Sequence, residues 1–328
     1  MGVLHRFAPA KHITGESFIA INGRPGSGKT TLAIDLTYHI NQIGLCDGIL
    51  LVTESLKTIK LLEPHIPALS FVHVVNRRDP LSGLANQMQW SRAEVFIDGW
   101  LDSCRARHDK YIREGKVPKR YLLILDDCGF DRARLGSKMM LRIYNNFRQV
   151  GVIPMIICQE LYQLHKEGRQ NVTHCFSFRL LSEKQHKDMW AAYFSIMDFK
   201  TFRAAMHKAT APPKPFIERL ERQNLSKEEL VEAKRRGPRG CVVYDGWRAA
   251  NADTWTDCVF FYYPSYELCL QPWRFGNPLY FRLSEEWMAA AAAQAAPTSA
   301  AAGDDMAVSD AGGGTAPAIA PSTVLLDL

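Results

Sequence analysis

Phe18-Ile19-Ala20-Ile21-Asn22-Gly23-Arg24-Pro25-Gly26-Ser27-Gly28-Lys29-Thr30-Thr31 is the stretch on which the fold turns. Four apolar residues read as a buried strand, a glycine-rich loop follows, and an apolar-periodic segment begins at Lys29. Glycines let such a loop curl until its N–H groups and the helix N-terminus face an anion. The spacing Gly-x-x-x-x-Gly-Lys-Thr therefore predicts a nucleoside triphosphate site built by Gly23, Arg24, Pro25, Gly26, Ser27, Gly28, Lys29, Thr30 and Thr31. Lys29 would reach the β- and γ-phosphates and the Thr30 hydroxyl would ligate Mg²⁺, while Thr31 carries on into the helix.

Outward from this loop the chain alternates. Further strand-like runs occupy 48–53, 70–75, 121–125, 152–158 and 174–180, with helical periodicity over 29–43, 83–114, 138–149 and 183–209. Such alternation predicts an α/β fold of the P-loop NTPase type, a mostly parallel sheet with helices on both faces. Residues 1–210 would form this core. After Ala211-Pro212-Pro213-Lys214-Pro215 the character changes: 211–296 reads as a basic linker with a short helix at 226–234, followed by a β-rich extension in which 241–245 and 258–263 pair as a hairpin beside the main sheet. Residues 297–328 are Ala, Gly, Ser, Thr and Pro with scattered Asp, a composition expected to be a disordered tail.

The net charge of +6 is unevenly spread. Four of the 34 acidic residues lie in 297–328, which holds no Lys or Arg, so residues 1–296 carry 40 basic against 30 acidic side chains. A basic body favours a polyanionic partner. Eight scattered cysteines lack any CxxC or Cys/His spacing, which argues for free thiols in a reducing compartment and against a zinc site. The longest apolar runs fall well short of the roughly 20 residues that cross a bilayer, so no integral membrane segment is expected.

Two downstream motifs narrow the chemistry. Tyr121-Leu122-Leu123-Ile124-Leu125-Asp126-Asp127 is an apolar strand ending in paired carboxylates, with Asp126 suited to the Mg²⁺ shell and Asp127 to polarising the attacking water. In an open α/β sheet the ligand sits beyond the carboxyl ends of the strands. Gln159, at the end of the run 152–158, would thus face the γ-phosphate, whereas Arg148 begins that run at the far edge, where it is available to a neighbour's nucleotide as a trans arginine finger.

The spacing from Arg148 to Gln159, the paired acids and the stretch Gly168-Arg169-Gln170-Asn171-Val172-Thr173-His174 resemble the poxvirus-type genome-packaging ATPase of large nucleocytoplasmic DNA viruses, in the FtsK/HerA superfamily. The likeness spans roughly residues 15–190. It implies a RecA-like core, a homo-oligomeric ring, ATP and Mg²⁺ as cofactors, and pumping of double-stranded DNA into a capsid in the host cytoplasm, in company with capsid or portal-like virion proteins. It also implies Lys29, Asp127, Gln159 and Arg148 as catalytic residues and Thr30 with Asp126 as the metal pair. One departure is that related sequences read Gly-Arg-His where this chain has Phe147-Arg148-Gln149; Arg169 is a second candidate finger.

A translocase grips phosphate without reading sequence, which calls for lysines and arginines facing the duplex. Two clusters qualify: Arg105, Arg107, Lys110, Arg113, Lys116, Lys119 and Arg120, and the run Lys234-Arg235-Arg236-Gly237-Pro238-Arg239. The competing readings are a nucleoside or nucleotide kinase, another FtsK/HerA-type translocase, and a scaffold that binds ATP only to assemble.

Overall fold

The apolar runs become adjacent strands of one sheet. The computed structural model describes residues 3–75, 87–127, 132–223, 225–230 and 237–295, with the side chains of 132, 133 and 291–295 excepted. Cys128, the start of the helix expected from Gly83, the basic residues Lys234, Arg235 and Arg236, and the tail at 297–328 lie outside the described residues.

The strands are β1 (His5–Arg6), β2 (Ile19–Asn22), β3 (Gly48–Thr53), β4 (Phe71–Val74), β5 (Gln87–Met88), β6 (Tyr121–Asp126), β7 (Val152–Cys158), β8 (His174–Ser177), β9 (Cys241–Asp245) and β10 (Val259–Tyr262). They pair in the order β1-β10-β9-β8-β2-β7-β6-β3-β4-β5. Among the described strands, only β9 runs against its neighbours, β8 and β10. The expected C-terminal hairpin is therefore real and extends the main sheet directly. Pro154 has no amide to donate, and it sits one residue before the β2–β7 pairing begins at Met155.

Both faces of the central strands are buried. Along β6, Tyr121, Leu123 and Leu125 pack on one side with Trp100, Ile143 and Phe147, while Leu122 and Ile124 pack on the other with Leu32, Leu36 and Ile59. The first face is covered by the helices Trp90–Arg113, Lys138–Val150 and Phe199–Thr210, the second by Lys29–Gln42 and Leu56–Leu62. Each fully buried Leu or Ile contributes about 1.5–3 kcal/mol, so these continuous apolar strands outweigh any local propensity. The cysteines at 46, 104, 158, 175, 241, 258 and 269 are all unpaired. No described helix is long and apolar enough to cross a membrane.

The single helix expected over 183–209 is in fact broken. The helix Glu183–Met189 passes through a π-turn at Trp190–Phe194, and a new helix starts at Phe199. Asp198 causes the restart, because its carboxylate accepts from the Thr201 amide at 2.9 Å and the Thr201 hydroxyl at 2.6 Å. Trp190 Nε1 pins the turn by donating to the Met197 carbonyl at 2.7 Å.

At the amino edge of β8 the buried Asp245 lies between His12 Nδ1 (3.8 Å) and His174 Nε2 (3.7 Å), with Arg248 Nε at 3.6 Å. The histidine contacts are too long for hydrogen bonds, so the carboxylate does not offset burial, which lowers His174 to about 3 and His12 to about 4. An unfolded chain binds protons below about pH 6.5 that these folded histidines refuse, so their stabilisation is complete above that pH and is lost as pH falls through the window. Asp245, raised by its own burial, offsets part of the loss at the acid end. His174 alone contributes on the order of 1.4 kcal/mol per pH unit there. The melting temperature is therefore expected to drop between about pH 7 and pH 5, less steeply in His12→Gln; a flat profile in the native protein would contradict this.

Candidate nucleotide site

The loop after β2 is shaped by two close constraints. Gly28 adopts φ 103°, in the left-handed region where a side chain is strained. At Gly23 a Cβ would lie 2.5 Å from Ser27 Oγ and 3.0 Å from the Phe178 Cβ, so the close approach needs glycine. The Gly23 amide donates to the Cys158 carbonyl at 3.2 Å, tying the loop to the end of β7. The helix Lys29–Gln42 then begins, presenting its positive N-terminus with Thr30 and Thr31 in the first turn.

Lys29 is buried in the loop, where its Nζ donates to the Arg24 carbonyl at 3.2 Å. Burial lowers its pKa and the carboxylates of Asp127 and Asp126 raise it, which places the ammonium within the field of both acids. Asp126 closes β6 at 1% exposure, and its Oδ2 accepts from Thr58 Oγ1 at 2.6 Å. Ser55 caps the helix Leu56–Leu62 that presents Thr58. Burial pushes Asp126 up to about 6 against that hydrogen bond, with Asp127 adding to the rise. Asp127 turns away at φ 53°, the one left-handed non-glycine among the described residues. Asp tolerates that conformation better than most residues, and strain of this kind gathers at functional turns.

Register brings these groups together. Asn22 pairs with Cys158, Asp126 with Ile157, and Thr53 with Asp126, so β2, β7, β6 and β3 end along one line. Gly23, Gln159 and Asp127 each follow the last residue of their strand. The Gln159 amide donates to Gln163 Oε1 at 2.8 Å, and Gln159 lines a small pocket with Gly23, Arg24, Arg179 and Asp188.

Arg148 is on the opposite edge of the sheet, in the last turn of the helix Lys138–Val150. Seven residues of β7 separate it from Gln159, roughly 20 Å of strand. Its guanidinium lies over Trp247 (5.2 Å) and Phe147 (4.8 Å) with Glu16 at 4.0 Å. Arg169, the second candidate, stacks on Tyr162 at 4.9 Å and donates to the Leu164 carbonyl at 2.6 Å, near the pocket that holds Gln159.

The first basic cluster shares the edge of Arg148. Arg120 donates to the Arg148 carbonyl at 2.8 Å, Lys119 reaches Asp47 at 2.8 Å, Lys116 pairs with Glu114 at 2.7 Å and Arg105 sits 3.7 Å from Asp109, while Lys110 and Arg113 are exposed. Of the second cluster, Gly237, Pro238 and Arg239 are described, and Arg239 is turned onto the nucleotide loop, donating to the Gly26 carbonyl.

Sequence reasoning missed three neighbours of the site. Thr58 anchors Asp126, and Arg134 pairs with Glu54 just beyond β3. Arg179 lies two residues past β8 beside Arg24, where the strand-end rule that selected Gln159 could have found it.

The donor set suits a hard cation. Mg²⁺ takes oxygen ligands and is commonly held by one or two carboxylates together with substrate phosphates. A helix-start hydroxyl at Thr30 and a buried carboxylate at Asp126 fit that pattern, and among the described residues no separate group of three or more His, Cys, Asp or Glu side chains gathers to hold a metal.

A model of the Poxvirus A32 protein family matches residues 91–201. Among curated protein sequences, none matches. Similar solved structures include the genome packaging NTPase B204 from Sulfolobus turreted icosahedral virus 2 in complex with AMPPCP, at 11% identity and TM-score 0.41, covering 77% of this chain and 100% of that one. EssC (ATPases 2 and 3) from Geobacillus thermodenitrificans follows at 10% identity and TM-score 0.37, over 58% of this chain and 41% of that one. The pCW3 conjugation coupling protein TcpA with ATPgS is 15% identical with TM-score 0.38, over 53% and 52%. These likenesses are distant, and no residue role follows from them. The family match contains Asp126, Asp127, Arg148 and Gln159, and with the nucleotide loop upstream the chain has a P-loop NTPase fold whose residues 91–201 resemble the Poxvirus A32 protein family.

Proposed function

We propose that the protein hydrolyses ATP to drive double-stranded DNA into a viral capsid at a cytoplasmic assembly site, working as a homo-oligomeric ring. The observation that carries the reading is the convergence of the Lys29 loop, the Asp126–Asp127 pair and Gln159 on one sheet edge, within a chain whose residues 91–201 match the Poxvirus A32 family. Lys29 and the helix N-terminus neutralise phosphate charge, and Thr30 with Asp126 would hold Mg²⁺, which would supply further positive charge to the phosphates. Asp127 orients the attacking water, and Gln159 reports the γ-phosphate to the rest of the sheet. The exposed members of the cluster from Arg105 to Arg120 are the proposed DNA contacts, and capsid or portal-like proteins the proposed virion partners.

Arg148 is too far from its own chain's loop to reach that nucleotide, so its proposed role as a finger is served across a subunit boundary. ATP turnover is expected to rise with duplex DNA and with protein concentration, and Arg148→Ala is expected to lose about 10³-fold or more of the assembled rate. Mixing Arg148→Ala with Lys29→Ala subunits should restore part of it, because one subunit supplies the loop and the other the arginine. Turnover indifferent to DNA and concentration, with phosphoryl transfer to a nucleoside acceptor, would replace this reading with a kinase.

A further inference from the structure

The nucleotide loop has two sides. Asp126, Asp127 and Gln159 stand where β6 and β7 end, while the side at Gly28 and Thr31 opens into a groove of about 740 Å³ walled by C-terminal segments. Phe216 and Leu220, on the helix Lys214–Glu221, form one wall, and Arg239 and Tyr266 form the others. We propose that this groove holds the nucleoside of bound ATP, with the base against Phe216, Leu220 and Tyr266. The inference rests on the P-loop ATPase reading and extends it to residues far outside the loop.

Phosphate order sets the direction. Loop amides cradle the α- and β-phosphates and the lysine reaches β and γ. With γ directed at the strand-end carboxylates, the α-phosphate and the sugar leave from the other side, past Thr31. The groove falls within the ~300–1,000 Å³ usual for small-ligand pockets, and it combines apolar walls with few polar groups, as the two faces and one polar edge of a base require.

The walls are tied to the loop itself. Asp35, one turn beyond Thr31 and 1% exposed, accepts from the Tyr262 hydroxyl and from the Ser265 amide at 3.1 Å, which fastens the turn bearing Tyr266 to the nucleotide helix. Arg239 is bonded to the Gly26 carbonyl. Gly237 packs so closely on Phe216 that a Cβ there would meet the ring at 2.3 Å. Three separate C-terminal segments are thereby held in register with the phosphate loop.

Calorimetric titration of the full chain with ATP and with inorganic tripolyphosphate tests the assignment. The native protein is expected to bind ATP more tightly than tripolyphosphate. Tyr266→Ala, at a position 63% exposed and so harmless to folding, is expected to weaken ATP about tenfold while leaving tripolyphosphate unchanged, and Phe216→Ala to do the same. Equal affinity of the native protein for both ligands overturns the groove assignment and leaves the P-loop reading standing. So does an equal loss for both ligands in Tyr266→Ala, or no loss for either. Failure of the native protein to bind either ligand overturns both.

Discussion

Lys29→Ala lowers ATP turnover by about 100-fold or more and weakens ATP binding with it, since removing one buried, preorganised donor from a transition-state site costs on that order. The geometry supports a large effect. Lys29 is almost wholly buried, it lies in the field of Asp126 and Asp127, and its ammonium is held by a carbonyl of the loop it serves. Deletion leaves two acids near incoming phosphates with no cation to balance them, so loss of charge and gain of repulsion act in the same direction. Stopped-flow binding of a fluorescent ATP analogue alongside steady-state turnover checks both parts. Normal affinity with normal turnover would show that the nucleotide is bound elsewhere.

Asp127→Asn separates binding from chemistry. Asn accepts the left-handed backbone at φ 53° about as well as Asp, so the substitution removes charge and basicity without adding strain, which Asp127→Ala would do. Water activation by a positioned carboxylate is worth about 10²–10⁴ in rate. The variant is expected to bind ATP with near-native affinity while turnover falls by that factor. Asp126→Asn should instead lose Mg²⁺-dependent affinity, because its buried carboxylate, held by Thr58, is the proposed Mg²⁺ ligand. Comparing the Mg²⁺ dependence of binding in the two variants distinguishes the roles; a turnover defect in Asp127→Asn matched by an equal affinity defect would assign it to binding.

The strands that build this edge were legible because each is an apolar run buried on both faces, from which period and length alone pick out a central parallel strand. The placing of the loop, the two acids and Gln159 on one sheet edge was legible for a related reason, since each lies at or directly after a strand end. Other parts were hidden by physics that acts over distance. The break in the helix after Met189 depends on a local Asp198 cap inside a segment whose apolar spacing reads as continuous. The helix Pro278–Ala295, which docks through Phe281 and Ser284 Oγ onto the Leu69 amide, carries little apolar periodicity and went unread. The groove beside Thr31 joins segments more than 180 residues apart, and the Arg239 contact with Gly26 spans 213 residues, so no local pattern could announce either.

Movement along DNA is the central claim, and displacement of a triplex-forming strand tests it most directly. A short third strand annealed at increasing distances along a linear duplex would be released by a translocase in an ATP-dependent way, with a lag that grows with distance. Release with that distance-dependent lag, absent in Asp127→Asn, is the result this account predicts. Vigorous ATP hydrolysis without displacement at any distance would contradict it.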